Sequence, residues 1–530
     1  MKNQLVVSLI VAEIVGVVLG TDAQNITRPN ILFCIADDAS YHHFSSNGCC
    51  WIETPAFDRV ANEGIRFSRT YTPNAKSGPS RSCILTGRNS WQLKEAGNHI
   101  SNFPAEFKVF TEVLAENGYI VAYTGKGWAP GNPGMKNGKQ RLLTGKVYNT
   151  KKCVPLTDGI STTDYVNNFI DFLNENKNAA RPWFFWFGSH EPHRSYEWQS
   201  GLKVGKKLEM IDRIQAYYPD CDSVRTDLLD YGLEIEYFDS NVGRMIAELE
   251  KRGLLDDTLI VITSDNGMPF PRSKANNYEY SNHMPCAIMW PNGIKNSGRS
   301  YDGYISFVDF APTFLELCNI NPDNCGMQSM TGVSFCDILA DNELLRLAEF
   351  RKNIIMGRER DDYGRPKNQG YPIRAIIRDD MLYIMNLKPW LCPAGNGITG
   401  YLDVDGSPTK SVILNMYRKG NGGLFYELSF GLRQVEELYD LTKDSDCVNN
   451  LAGLPTYWNV KCSLRDELIE TLLMQDDPRM SVGGDAFDMY PFDTPNKANF
   501  YERVYNGEIK EPWKQTNWVN ATDYESYLSR

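Results

Sequence analysis

Histidine is scarce in this chain, with six in 530 residues. A centre that holds more than one zinc ion through several imidazoles is hard to build from so few, two of which stand close together as His190 and His193. No Cys-x-x-Cys spacing occurs among the thirteen cysteines, which argues against a zinc or thiol-redox motif. Positive charge is also in deficit. A net charge of −11 leaves no basic field for a nucleic-acid backbone. It gives no long-range attraction for an anionic ligand either, so any cationic recognition must be concentrated in a site. Internal repeats and low-complexity segments are lacking as well.

What is present is enough to bury a large core. At 530 residues and 42% apolar content, more than one domain is expected. Lys2 precedes an apolar run from Leu5 to Gly20, broken only by Ser8 and Glu13, and the small residues Gly20, Thr21 and Ala23 follow. This pattern predicts a secretory signal over residues 1–23, with cleavage near Ala23. The run falls short of the ~20 residues needed to span a bilayer and Glu13 would be costly there, so stable membrane insertion is not expected. No cysteine precedes Cys34, so no lipoprotein site is apparent. Disulfides are permitted in an exported chain, although an odd cysteine count leaves at least one thiol free. Cys318 with Cys325 and Cys447 with Cys462 are the plausible short loops. Cys34, inside an apolar strand, reads as a small buried hydrophobe.

Hydrophobic periodicity predicts strands over Ile31–Ala36, Ile120–Tyr123, Trp183–Phe187, Thr258–Thr263 and Cys286–Trp290. Helices are expected over Ala56–Glu63, Thr111–Asn117, Thr163–Asn174, Thr226–Arg252 and Phe307–Leu317. Short apolar strands alternating with helices predict an α/β fold with a mostly parallel sheet covered on both faces. After about residue 345 the texture changes to charged, glycine-rich loops around shorter strands, Ile373–Ile377 and Met381–Met385, with one clear helix at Leu464–Met474. The expected division is a catalytic domain over 24–345 and a smaller α+β unit with a tail over 346–530. The last fifty residues are expected to wrap the surface.

The chemistry is carried by the run Asn74-Ala75-Lys76-Ser77-Gly78-Pro79-Ser80-Arg81-Ser82-Cys83-Ile84-Leu85-Thr86-Gly87-Arg88. Arg81 stands four residues after the Ser77 hydroxyl, on the same face of a helical turn, where its charge can support an anion. Two acidic motifs close strands: Asp37-Asp38, and Ser264-Asp265-Asn266-Gly267. The carboxyl ends of strands form the ligand crevice of open α/β sheets. Three carboxylates and an amide gathered there would make an all-oxygen cage suited to a hard divalent cation such as calcium. Two further runs follow strands: Thr124-Gly125-Lys126 and His190-Glu191-Pro192-His193-Arg194.

Taken with its tail Leu85-Thr86-Gly87-Arg88, the Ser77 run resembles the signature of type I sulfatases. Leu438-Tyr439-Asp440-Leu441 and Asn449-Asn450-Leu451 resemble that family's C-terminal block. The resemblance implies an alkaline-phosphatase-like fold, a large mixed sheet flanked by helices with a smaller C-terminal α+β domain. It implies that Ser77 is oxidised to formylglycine by a maturation enzyme, here in the serine form used by bacteria. It also assigns Asp37, Asp38, Asp265, Asn266 and the modified Ser77 to one calcium ion. Arg81 and Lys126 would support the nucleophile and the sulfate, while His190 and Lys274 would meet the leaving oxygen. His193 would bind substrate. The implied reaction is hydrolysis of a sulfate ester or sulfamate on a sugar, by an enzyme exported to a bacterial periplasm or secreted.

Within the family, the His190 to Arg194 run, Met268-Pro269-Phe270-Pro271 and Tyr371-Pro372-Ile373-Arg374 look like those of sulfamidase, the heparan N-sulfatase. N-sulfoglucosamine is therefore one expected substrate, and an O-sulfated hexosamine or galactose is the other. Lys274 departs from sulfamidase, which carries arginine there. Trp128 stands where the family usually has histidine, and His99 is the substitute suggested for it. The rival readings are a phosphate mono- or diester hydrolase of the same fold and an inactive binder of sulfated glycans. Retention of Ser77, Arg81, Lys126 and the acidic set argues against the binder.

Overall fold

The computed structural model describes residues 28–341, 346–481 and 483–528. The expected signal segment, 1–23, lies outside them. Twelve strands matter for the site: β1 (Asn30–Ala36), β2 (Ile65–Phe67), β3 (Ile120–Gly125), β4 (Lys146–Val147), β5 (Trp183–Gly188), β6 (Thr258–Ser264), β7 (Cys286–Met289), β8 (Arg299–Tyr301), β9 (Ile354–Arg358), β10 (Ile373–Arg378), β11 (Met381–Asn386) and β12 (Glu436–Asp440). The first eight form one sheet in the order β8-β2-β7-β6-β1-β5-β3-β4. β1 lies at its centre and pairs in parallel with both β5 and β6, Ile31 opposite Phe184 on one side and Leu259 on the other.

The sheet is mixed. As expected it is mostly parallel, with β7 alone running antiparallel to its neighbours β6 and β2. A continuous apolar strand reports burial on both faces, not direction, so periodicity could not have shown this. β1 explains the burial. Leu32, Cys34 and Ala36 face a core with α1 (Pro55–Glu63), α4 (Tyr165–Asn176) and α5 (Asp222–Lys251). Ile31, Phe33 and Ile35 face the opposite core, with α2 (Ser77–Thr86), α3 (Phe110–Glu116) and α6 (Phe310–Leu317). Each fully buried Leu, Ile or Phe among these contributes about 1.5–3 kcal/mol, which fixes the sheet that carries the site.

A second sheet, β9-β10-β11-β12, is antiparallel throughout. Ile354, Met356, Ala375 and Ile384 face one core, and Ile355, Ile376 and Tyr383 face another beneath α8 (Trp458–Met474). The expected helix at Leu464–Met474 thus begins six residues earlier, at Trp458. α7 (Pro408–Arg418) links this region to α5.

All thirteen cysteines are free thiols, so neither expected disulfide forms. Cys447 lies in the core on one face of the small sheet, whereas Cys462 belongs to the helix covering the other. Cys325 turns its Sγ to the Pro322 carbonyl, 3.2 Å away, instead of to Cys318. Cys34 is buried as expected. Among the described residues no helix is long and apolar enough to cross a membrane.

Candidate active site

Four strand ends converge on one cavity of about 650 Å³. β1 delivers Asp37 and Asp38, β3 delivers Lys126, β5 delivers His190 and His193, and β6 delivers Asp265 and Asn266. α2 brings Ser77 at its first residue. Its ten residues are buried, and Gly87, at φ 68°, closes it by donating its N–H to the Cys83 carbonyl. Pro79 falls in the first turn, where its missing donor costs nothing. Ser77 therefore sits at the positive end of a helix, a place that favours an anion.

The floor is a buried charge lattice. Ser77 Oγ lies 2.9 Å from Asp37 Oδ1 and 3.4 Å from Asn266 Oδ1. Carboxylate oxygens of Asp37, Asp38 and Asp265 all fall within 4.8 Å of one another, and none of the three residues is more than 1% exposed. Lys126 Nζ donates to Asp37 at 2.5 Å, Arg81 Nε to Asp265 at 2.8 Å and Lys274 Nζ to Asp38 at 2.6 Å. Burial alone would raise the Asp37 pKa, but Lys126, His193 and Arg81 outweigh it and hold the carboxyl well below its usual range. Asp265 is pushed up to about 6, first by burial and then by Asp37. Crowding carboxylates this closely is expensive unless a cation shares them, and an all-oxygen set suits calcium.

Backbone geometry tightens the lattice. Asp38 adopts φ 80°, a left-handed conformation that costs about 1–3 kcal/mol. Its N–H is pinned to Asp265 Oδ1 at 3.1 Å. Gly125 is required at the end of β3, because a Cβ there would lie 1.9 Å from the Gly188 carbonyl oxygen.

The expected site residues come together. Ser77, His99, Lys126, His190, His193, Lys274 and Asp37 line the cavity, while Asp38, Arg81, Asp265 and Asn266 are buried behind that wall. Arg81 is clamped by the carbonyls of Lys126 and Gly127 at 2.9 and 2.8 Å, and its Nη2 has no hydrogen-bond partner. His190 opens onto the cavity yet sits deep in the molecule. That depth lowers its pKa; Asp37 opposes the shift, Lys126 and Arg81 reinforce it, and the group ends at about 4. His193 Nε2 lies 3.9 Å from Asp38.

Trp128 is no base. Its Nε1 donates to Ser82 Oγ at 2.8 Å and its ring packs on Phe103. His99 is buried at the cavity with an unpartnered Nδ1, and its pKa is driven down by burial and by Lys76, Lys274 and Lys126. That Nδ1 stands 3.3 Å from where a Cβ on Gly78 would be, so the glycine after Ser77 lets the ring approach. Arg374, from the run that resembles sulfamidase, serves the interior. It is buried between Asp477 and Glu359, both at 2.6 Å, and does not line the cavity.

The far wall escaped sequence reasoning. Lys274 also donates to Asp405 at 2.9 Å, and Lys76 pairs with Asp362 at 3.3 Å. Tyr363, Lys497 and Trp518 complete that side. The tail therefore enters the pocket instead of only wrapping the surface. No local signal marks these residues, because each pairing joins positions more than a hundred residues apart.

Comparison with known proteins agrees with this geometry. The sulfatase family model matches residues 29–320. An N-acetylglucosamine-6-O-sulfatase of Bacteroides thetaiotaomicron is 27% identical over 418 residues, covering 61% of this chain and 73% of its own. The human N-sulphoglucosamine sulphohydrolase is 25% identical over 485 residues, 85% of this chain and 91% of its own. A solved protein in complex with its substrate D-glucosamine-2-N,6-O-disulfate shares the fold, with TM-score 0.59 and 22% identity across 85% of this chain and 98% of that one. The chain belongs to the sulfatase family and is a hydrolase of sulfate esters or sulfamates.

Proposed function

We propose that this enzyme removes sulfate from a sulfated amino sugar of a glycan, with Ser77 matured to formylglycine and one calcium held by Asp37, Asp38, Asp265 and Asn266. The observation that carries the reading is the Ser77 hydroxyl at the helix N-terminus, 2.9 Å from one carboxylate of a buried acidic triad. Once in place, the hydrated aldehyde supplies the nucleophile and a way to expel sulfate, and calcium withdraws charge from its oxygens.

The chain's own residues do the rest. Lys126 on the cavity wall, with Arg81 buried behind it, gives fixed positive charge where the sulfate oxygens collect. Lys274 is kept cationic, since Asp38 and Asp405 outweigh the burial that works against its charge. It and His190 face the leaving oxygen or nitrogen, with Lys274 able to donate a proton there. His99, neutral and unpartnered, is the group we assign to take the proton that Trp128 cannot. His193 holds the substrate beside Asp38.

Residues 24–345 would carry the nucleophile and metal, and 346–530 the sugar-facing wall of Asp362, Tyr363, Asp405, Lys497 and Trp518. Carboxylates that accept sugar hydroxyls beside an aromatic face suit a saccharide ring better than an aryl group. N-sulfoglucosamine and 6-O-sulfated N-acetylglucosamine are the first candidates, by analogy with the two relatives. Export after removal of 1–23 goes with this reading. A phosphate ester hydrolase is disfavoured because the donor set at Ser77 is all oxygen. Matured protein should release sulfate from one of these sugars, and protein carrying unmodified Ser77 should not. Equal rates from both, with the residue checked by peptide mass, overturn the reading.

A further inference from the structure

A second cluster of metal-binding type lies away from the cavity and plays no part in the reaction described above. His42, Glu279 and His283 each bring a ligand-type atom within 4.8 Å of the other two, and Glu279 Oε1 lies 3.4 Å from His42 Nε2 and 2.5 Å from His283 Nδ1. His42 follows β1 by a short turn, and Glu279 and His283 lie on the segment leading from the Asp265 motif to β7. The cluster thus ties together the two loops that carry the acidic triad.

The arrangement around it fixes which atoms face inward. His283 Nε2 is 2.8 Å from the Ser68 carbonyl, which can only accept, so Nε2 carries a hydrogen and the lone pair of the neutral ring is on Nδ1. A ligating histidine is oriented in this way, by donating its other ring N–H to a carbonyl. The imidazole is clamped between Tyr41 and Tyr71, stacked at 3.9 and 4.5 Å. Tyr71 donates its hydroxyl to Glu279 Oε2 at 3.2 Å, leaving Oε1 for the cluster. His42 Nε2 is shielded from solvent, has no hydrogen-bond partner and lies 3.4 Å from Oε1.

Three acceptor atoms therefore converge with no donor among them unless a ring takes an extra proton. From these contacts we infer that His42, Glu279 and His283 bind a borderline divalent metal, zinc in the first instance. Two imidazoles and one carboxylate are a zinc donor set, quite unlike the all-oxygen set at Ser77. With metal–ligand bonds of about 2.0–2.1 Å, tetrahedral ligand atoms stand roughly 3.3 Å apart. The His42–Glu279 separation already matches. The His283–Glu279 separation, 2.5 Å, must open by about 0.8 Å on binding. The fourth position would be filled by water. Bound there, the metal cross-links the loop after β1 to the segment after β6.

The test uses full-length protein reconstituted with zinc and calcium, desalted, and measured by elemental analysis, with cobalt substitution read by its visible absorption. The expected result is about one zinc per chain in addition to calcium, and a tetrahedral-type cobalt spectrum. His42→Ala, which removes a half-exposed side chain and should fold, is expected to lose the zinc and the cobalt band while keeping calcium. Asp38→Ala is expected to do the reverse. Glu279→Gln, which keeps the packing, should weaken zinc binding at least tenfold. Absence of retained zinc in the parent protein, or zinc unchanged in His42→Ala, overturns the inference and leaves the cluster as a proton-linked triad.

Discussion

Replacing Lys274 with methionine separates the buried ion pairs it makes from the leaving-group role proposed for it. The Lys274 ammonium bridges Asp38 at 2.6 Å and Asp405 at 2.9 Å, and all three side chains are buried. Methionine keeps the volume but strands two carboxylates. Breaking a buried ion pair from one side costs about 3–5 kcal/mol, so the urea midpoint should fall clearly. Activity should fall by about 10²–10³ in kcat/KM, through loss of the proton and charge at the leaving atom. Adding Asp405→Asn removes one stranded charge and should return roughly 1–3 kcal/mol, as expected for residues in direct contact. It should return no activity. Unfolding curves and sulfate release, measured on the single and double variants, read the two effects independently. Recovery of activity together with stability in the double variant would show that Lys274 is only a counter-ion, and the assignment of it to the leaving group would be wrong.

Further expectations follow from the same geometry. His99→Asn should lower kcat by about 10²–10⁴-fold with little change in KM, since general-base loss acts on the chemical step; an effect on KM alone contradicts the role. Asp265→Ala should abolish activity and calcium retention together, and stoichiometric zinc at that cluster would point to a different chemistry. His190, with its pKa near 4, is neutral above that pH, so kcat/KM should show no acid limb from it until the pH falls toward 4. An acid limb near 6.5 that disappears in His190→Gln contradicts this. Trp518→Ala should raise KM for a saccharide more than it lowers kcat, because the ring lines the cavity on the wall proposed to hold the sugar.

What the sequence revealed follows a physical pattern. The strand ends were legible because apolar runs stop abruptly at Asp37, Lys126, His190 and Asp265, and the chemistry sits at those stops. The helix under Ser77 was legible from Pro79 and Gly87. The mostly parallel sheet was legible too, but the reversed direction of β7 was not, since such a strand looks the same parallel or antiparallel when both its faces are covered. The charged, glycine-rich stretch from Gly357 to Gly370 read as loop, yet Arg358 and Arg365 both pair with Asp403 in the interior. Charge marks a surface only when it lacks an internal partner, and Asp403 is remote in sequence. Asp405, Asp362 and Trp518 escaped for the same reason. The cysteine pairings failed because proximity along the chain says nothing about the sheet that separates Cys447 from the helix carrying Cys462.

The most direct measurement is release of inorganic sulfate, followed by ion chromatography, from matured protein given N-sulfoglucosamine, 6-O-sulfated N-acetylglucosamine, O-sulfated galactoses and matched phosphate esters. The account expects turnover of at least one sulfated amino sugar, lost in Ser77→Ala and on calcium removal, with phosphate esters cleaved far more slowly. Phosphate release without sulfate release, or sulfate release that survives Ser77→Ala, would contradict it.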